Sequence, residues 1–427
     1  MKFISRKDAK AQRKDARNYL EDLDLFNYPD LDQPPRPRKE LRQGFSTGTA
    51  AAAAAQGALR ELLGLPCPEA VEVDLPGGGS LGIPLNYHRR DGEEGLAAVI
   101  KDAGDDPDVT NGAEIGARVR LLSGGNDAKE EIRFQAGAGV GRVSKPGLAL
   151  AVGEPAVNPV PRKMIRRSLE KVWQGAFPGK PMKLEVEIFV PRGEEMARHT
   201  LNPRLGILGG ISILGTTGLV KPFSHAAYRA TIVASLKVAL ALGIQKVVFS
   251  TGGKSEKYLR GLLPELPEEA FVQMGDYVRF ALKAAANLKF SEITVGAFFG
   301  KALKIAQGWG HTHASRGLAD LKKLGRLTAE TTGDAKLAQE VSRANTARQA
   351  LEILLAEQAG PVVAAVGARM LAALGDYAGP GPDLAAVILD FAGEPLWRGE
   401  RIGQSEYKNL TQRRQGAKTQ ERINERE

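Results

Sequence analysis

The sequence predicts two domains of different construction: an α+β domain over 39–183, then a three-layer α/β domain, Rossmann-like with a mostly parallel sheet, over 184–403. Three observations carry this. The chain has 427 residues, more than a single hydrophobic core usually fills. Its first half alternates short β-like runs with Gly, Asp and Pro turns, the pattern of a largely antiparallel sheet. Its second half alternates strand-like with helix-like segments, the pattern of parallel βαβ units. With 43% hydrophobic and 26% charged residues, the composition excludes collagen, a coiled-coil rod and wholesale disorder.

Residues 1–38 read as a basic, disordered tail ending in the extended linker Pro34-Pro35-Arg36-Pro37-Arg38. Ser46 or Thr47 can then cap a helix that the alanine run propagates and Gly64 stops. Strands follow at Ala70–Leu75, Leu96–Lys101, Arg118–Leu122 and Glu131–Phe134. The second domain opens with a strand at Leu184–Val190 and a helix at Ser224–Leu242. Strands at Lys246–Ser250 and Glu292–Phe299 alternate with helices at Tyr277–Leu288 and Lys301–Gln307. Helical segments between Ala329 and Leu374 and a strand at Ala385–Phe391 complete it, and 404–427 form a charged C-terminal tail.

The net charge of +9 is concentrated at the ends: residues 1–20 carry +5 and residues 404–427 carry +2. Such blocks are solvated extensions more often than nucleic-acid contacts, and the body lacks the aromatic-plus-basic platform that single strands require. No nucleic-acid partner is expected. The N-terminus has no apolar stretch of the secretory type, and the uncharged run Leu205–Val220 is too short and too rich in Gly and Thr to span a bilayer. The expectation is a cytoplasmic protein without a membrane partner; a homo-oligomer is left open. Cys67 is the sole cysteine, so no intramolecular disulfide and no multi-cysteine cage can form. His88, His199, His225, His311 and His313 lack metal-site spacing, so no protein-bound metal is expected.

Two glycine-rich loops sit where an α/β fold places ligands. In Gly206–Gly218, Gly209 and Gly210 allow close backbone approach while Thr216 and Thr217 offer hydroxyls; a buried turn is the equal alternative. In Ser250–Ser255, Thr251, Gly252, Gly253 and Lys254 lie between a strand and a helix. A phosphate-binding P-loop would need glycine five residues before Gly253, where Val248 stands. Backbone N–H groups there still suit a carboxylate or a ribose. Asp102, Asp105, Asp106 and Asp108 place four carboxylates in seven residues; the segment fails the EF-hand pattern at Asn111 and Ala117. It is either a solvated turn or the source of a general base or of an anchor for a ligand cation. The spacing of Gly137, Gly139 and Gly141 is a weak dinucleotide signal, and beyond it prolines fix a loop whose Lys145, Arg162 and Lys163 can hold anions.

Taken together, LRQGFSTGTAAAAAA, KDAGDDPDVTNG, GVGRVSKPGLALAVGEPAVNPVPRKMI, NPRLGILGGISILGTTGLVKP, STGGKSEKY and MGDYVRFAL resemble the ordered signature blocks of the cobalt-precorrin-5B methyltransferase (CbiD) family of cobalamin biosynthesis, from Leu41 to His313. The resemblance implies a CbiD-like two-domain fold. It further implies methyl transfer from S-adenosylmethionine to carbon-1 of cobalt-precorrin-5B, giving cobalt-precorrin-6A in the anaerobic route. The carboxylate-fringed macrocycle would then meet Ser46, Thr47, Thr49, Lys145, Arg162, Lys221 and His313. The Gly/Thr loops would bed the donor, and one of the four aspartates would act as base or anchor. Ala50 stands where the family commonly has cysteine. Gly300, Lys301, Thr312 and His313 keep the family's look, although the residues linking them differ. Two rival readings are a non-catalytic tetrapyrrole- or nucleotide-binding module and a methyltransferase acting on another corrinoid.

Overall fold

A computed structural model describes residues 41–122 and 130–403; the tails expected at 1–38 and 404–427 lie outside the described residues. The described chain divides into two compact units, one running to His225 and the other beginning at Ala226.

In the first unit, β1 (Gly44–Phe45) leads into α1 (Thr47–Leu62). Hairpins β2 (Ala70–Asp74) with β3 (Ser80–Pro84), and β4 (Tyr87–Asp91) with β5 (Glu94–Ile100), are followed by β6 (Glu114–Leu121), β7 (Glu131–Ala136) and β8 (Arg142–Val143). After α2 (Pro159–Ala176) come β9 (Lys183–Phe189), α3 (Gly193–Ala197), β10 (Ile207–Leu208) and β11 (Leu219–Val220). The main sheet has the order β4-β5-β6-β9-β7, antiparallel except for the β9/β7 pair.

The alanine run of α1 has a packing cause. Residues 50–55 are fully buried, and a Cβ on Gly95 of β5 would lie 1.8 Å from the Ala58 carbonyl oxygen. The helix backbone therefore rides directly on the sheet, a distance that only small residues permit. Its other side meets α2, where Met164, Ile165, Leu169 and Val172 join the same core.

The second unit comprises α4 (His225–Ala241), β12 (Lys246–Ser250), α5 (Gly253–Leu262), β13 (Phe271–Gln273), α6 (Val278–Asn287), β14 (Glu292–Phe298) and α7 (Phe299–Ala306). Then come α8 (Leu321–Thr332), α9 (Ala335–Arg343), α10 (Ala347–Ala356), α11 (Gly360–Ala378), β15 (Asp383–Leu389) and β16 (Pro395–Arg401). The sheet order is β13-β12-β14-β15-β16, parallel except for the last pair. Alternate residues feed two cores. Val247, Phe249, Ile293 and Val295 pack with α4, α6, α7 and α11, while Val248, Val387 and Leu389 pack with Leu259 and Leu263 around α5.

The structure corrects three sequence expectations. The boundary falls at His225 rather than 183, because the strand expected to open the second domain pairs as β9 between β6 and β7 of the first. Arg162 and Lys163 lie on a helix, not a proline-fixed loop: Asn158 is the N-cap and Pro159 and Pro161 occupy the first turn, where proline's missing N–H costs nothing. The edge strand β16 was not anticipated; its Trp397 ring occupies the space left by Gly367 of α11.

Candidate active site

Except for Lys221, the polar residues expected to meet substrate in the first unit are engaged with the protein itself. Ser46 caps α1, its hydroxyl accepting from the Thr49 N–H at 3.2 Å. The Thr47 hydroxyl donates to the Leu214 carbonyl at 3.0 Å and accepts from the Leu214 N–H at 2.9 Å, and the Thr49 hydroxyl donates to the Gly218 carbonyl at 2.6 Å. All three side chains are buried. The Gly206–Gly218 loop thus closes over the N-terminus of α1, and it belongs to the first unit rather than to the α/β unit where it was expected.

Its glycines have matching reasons. A Cβ on Gly210 would lie 2.0 Å from the Gly139 carbonyl oxygen, and one on Gly215 would lie 2.3 Å from the Ser46 hydroxyl. Gly209 has open space but a φ of +82°, so it is a conformational glycine. Thr217 turns its hydroxyl to the Leu219 carbonyl, while Thr216 makes no turn contact of that kind. The weak dinucleotide spacing has a similar cause: Gly139 lets the Val190 carbonyl approach, where a Cβ would lie 1.9 Å from its oxygen.

The acidic loop is likewise tied down. Asp102 pairs with Arg42 and accepts from the Gly104 N–H; the Arg42 bond is the first cause that holds its carboxyl below the usual range. Asp105 accepts from the Arg42 N–H and Asp106 from the Phe223 N–H, both at 2.8 Å. Asp108 receives the Lys101 ammonium at 2.7 Å and both the N–H and hydroxyl of Thr110. Lys101 is only 1% exposed, so Asp108 is the counter-charge of a buried cation. Burial would push the Asp108 carboxyl up, but Lys101 and Thr110 outweigh it and hold it below its ordinary value. All four aspartates have protein partners, although among the described residues Asp105 and Asp106 accept only from backbone N–H groups and enter no ion pair.

Lys145 lays its stem over Gly206 and donates to the Arg204 carbonyl at 3.2 Å. Arg162 reaches the carbonyls of Val157 and Pro155 and the Glu154 carboxylate. Lys221 is exposed. On the same unit, ligand atoms of Glu61, Cys67 and His88 lie within 4.8 Å of one another, a mixed trio that counting cysteines did not anticipate. Glu61 and His88 already bond each other at 2.7 Å.

The second unit gathers a different set at the C-terminal ends of three adjacent parallel strands. After β12, Thr251 leads through Gly252 into α5. A Cβ on Gly252 would meet nothing within 4 Å, and one on Gly253 would approach only the Gln273 amide, at 3.8 Å. Gly252 is the N-cap of α5 and supplies no side-chain cap; the Ser255 hydroxyl instead accepts from the Thr251 N–H and donates to the Gly252 carbonyl. Lys254 donates to the Phe391 carbonyl at 2.9 Å and lies over the Tyr258 and Phe298 rings.

After β13 comes Asp276, and after β14 comes Lys301. The Lys301 ammonium lies 3.0 Å from Asp276 Oδ1 and 3.3 Å from the Thr251 carbonyl. The Thr312 hydroxyl donates to the same Asp276 Oδ1 at 2.7 Å. Burial would raise the Asp276 carboxyl, but Thr312 and Lys301 hold it below its usual value. Behind this pair the Lys304 ammonium donates to the Thr312 and Gly317 carbonyls, and Tyr277 meets His311 edge-on at 4.8 Å. His313 caps the following short turn through Nδ1 to Ser315. Asp276 was not among the sequence candidates; the signal for it was an acidic residue some twenty positions after a glycine-rich strand-to-helix turn.

Fold and geometry together define a mixed α/β protein of two units, one of which presents a glycine turn and a positioned carboxylate at its parallel strand ends. The chain belongs to the CbiD family: family models match it over 35–222 (CbiD) and 311–400 (CbiD, C-terminal domain). It is 45% identical over 373 residues to the cobalt-precorrin-5B C(1)-methyltransferase of Nitratidesulfovibrio vulgaris, covering 85% of this chain and 95% of that one. It is 47% identical to the enzyme of the same name from Thermus thermophilus, over 76% of this chain and 84% of the relative, and 44% identical to that of Salinispora arenicola, over 86% and 96%. The crystal structure of a cobalamin biosynthesis protein (cbiD) from Archaeoglobus fulgidus aligns at 29% identity over 65% of this chain and 89% of that one, with a TM-score of 0.35. Among the described residues, no helix is long and apolar enough to cross a membrane.

Proposed function

We propose that the chain transfers a methyl group from S-adenosylmethionine to carbon-1 of cobalt-precorrin-5B, giving cobalt-precorrin-6A in the anaerobic route to cobalamin, in the cytoplasm. The observation that carries this is the shared name of relatives 44–47% identical over most of their length. Cobalt enters as part of the substrate.

The chemistry is an in-line displacement. The methyl–sulfur bond breaks with its electron pair passing to sulfur while the ring carbon bonds the methyl, so the protein mainly aligns the two reactants. For the donor we favour the Rossmann-like unit and its Thr251, Gly252, Gly253 and Lys254, because that turn leaves open space beside backbone N–H groups at a helix start. The Gly209–Thr217 loop has less to offer, its neighbouring glycines being filled by protein. Of the residues expected to meet the macrocycle's carboxylates, Lys221 of the first unit and His313 of the second are each exposed, whereas Ser46, Thr47 and Thr49 support the fold. If the acidic loop takes a proton, Asp105 or Asp106 does so, since Asp102 and Asp108 are paired with cations.

The test is anaerobic incubation of the full chain with cobalt-precorrin-5B and methyl-labelled S-adenosylmethionine, with mass and NMR analysis of the corrinoid. Label at carbon-1 is expected. Label at another carbon would favour the second methyltransferase reading, and no transfer despite binding would favour the binding module.

A further inference from the structure

We propose that Asp276 is the acceptor for the ribose hydroxyls of the methyl donor, with Lys301 and Thr312 as positioning residues; this rests on the donor reading above. The first ground is position. From β12 the chain moves to one side for β13 and then back across β12 for β14, so the sheet order reverses at β12. Parallel sheets hold ligands beyond the carboxyl ends of the strands at such a reversal. Thr251, Asp276 and Lys301 are the residues found there, and the open Gly252–Gly253 turn adjoins them through the Lys301 bond to the Thr251 carbonyl.

The second ground is how the carboxylate is held. Both of its donors, Thr312 Oγ1 and Lys301 Nζ, reach Oδ1. Oδ2 receives no donor from the described protein, so the group is fixed through one oxygen and presents the other. An ionised carboxylate is an acceptor only, and vicinal hydroxyls are its matched donors.

The third ground is what the surroundings exclude. Lys301 and Lys304 place two ammonium groups around Asp276, which disfavours a sulfonium or another cation as its partner. Its lowered proton affinity disfavours a general base, which works best when poised near the working pH. A neutral hydroxyl donor remains. The carboxylate also does not carry the fold alone: the Thr312 N–H donates to the Asp276 main-chain carbonyl at 3.1 Å, so the loop stays tethered when the side chain is changed.

The experiment is calorimetric titration of the full chain with S-adenosylhomocysteine and with its 2′-deoxy and 3′-deoxy analogues, for the native protein, Asp276→Asn and Lys301→Met. Native protein is expected to bind the parent about 10- to 100-fold more tightly than the analogues, the range of a hydrogen bond to a charged acceptor. Asp276→Asn should lose that preference while binding the analogues nearly as native protein does, and Lys301→Met should weaken it partially. Equal binding of all three ligands by the native protein overturns the assignment without any variant. So does an Asp276→Asn protein that keeps the preference. No binding of the parent by native protein removes the donor reading as well, which separates the two failures.

Discussion

The two glycine-rich loops look alike in sequence and are opposites in structure. In the first unit, Gly210 and Gly215 are glycine because protein atoms occupy the place of a side chain. In the second, a Cβ on Gly252 would meet no described atom within 4 Å, and one on Gly253 would make only an ordinary contact with the Gln273 amide at 3.8 Å. The carboxylates divide the same way. Asp108 is used up on a buried lysine and a threonine, whereas Asp276 is braced through one oxygen and keeps the other. A polar or glycine-rich segment therefore marks a ligand site only when its neighbours leave it unfilled.

The sharpest way to break this contrast is Asp108→Asn, which strands the Lys101 ammonium in the core. We expect a loss on the order of 3 kcal/mol in urea unfolding at neutral pH, as for other broken buried pairs. The effect carries a pH signature. The Asp108 carboxyl titrates lower in the folded than in the unfolded chain, so its contribution is complete above about pH 4 and fades as the pH falls through the folded value. The native and variant stabilities should converge in acid; parallel curves would show that Asp108 is not the counter-charge.

Next in size is Gly210→Ala, where the new methyl meets a backbone carbonyl that cannot step aside. A loss of about 2–3 kcal/mol is expected, read as a lowered melting temperature by calorimetry. Gly253→Ala sharpens the comparison from the other side. Stability should change by less than about 0.5 kcal/mol while affinity for S-adenosylhomocysteine falls about 10-fold, a difference of about 1.4 kcal/mol. If Gly253→Ala destabilises as much as Gly210→Ala, the two loops are not different in kind. Smallest is Ser46→Ala, which removes the cap of α1 at a cost of about 1 kcal/mol. It should leave methyl transfer unchanged once folded; a selective loss of turnover would return Ser46 to the substrate.

The regular elements were largely legible. The strand Lys246–Ser250 and the start of the first helix at Ser46 follow directly from apolar runs and cap chemistry. What misled were features whose meaning depends on partners distant in sequence. A lone strand such as Lys183–Phe189 does not announce which sheet will receive it, and here the pairing with β6 and β7 decided the unit. Pro159 and Pro161 read as loop residues until Asn158 is seen as a cap. Asp276 escaped because its importance lies in Lys301 and Thr312, which arrive from later strands and loops. The family blocks did contain Asp276, within MGDYVRFAL, and its distance from the Gly252–Gly253 turn was the signal left unread.

The seam between α1 and the Gly206–Gly218 loop also has a consequence in time. Thr47 finds Leu214 across 167 residues, and Thr49 finds Gly218 across 169. At about 5–20 residues per second of synthesis, the alanine-rich helix waits roughly 10–30 seconds for the strand and loop that complete its surroundings. Its methyl face is covered earlier, by β5, β6 and α2, so what waits for residue 218 is the pairing of the Thr47 and Thr49 hydroxyls at its first turn.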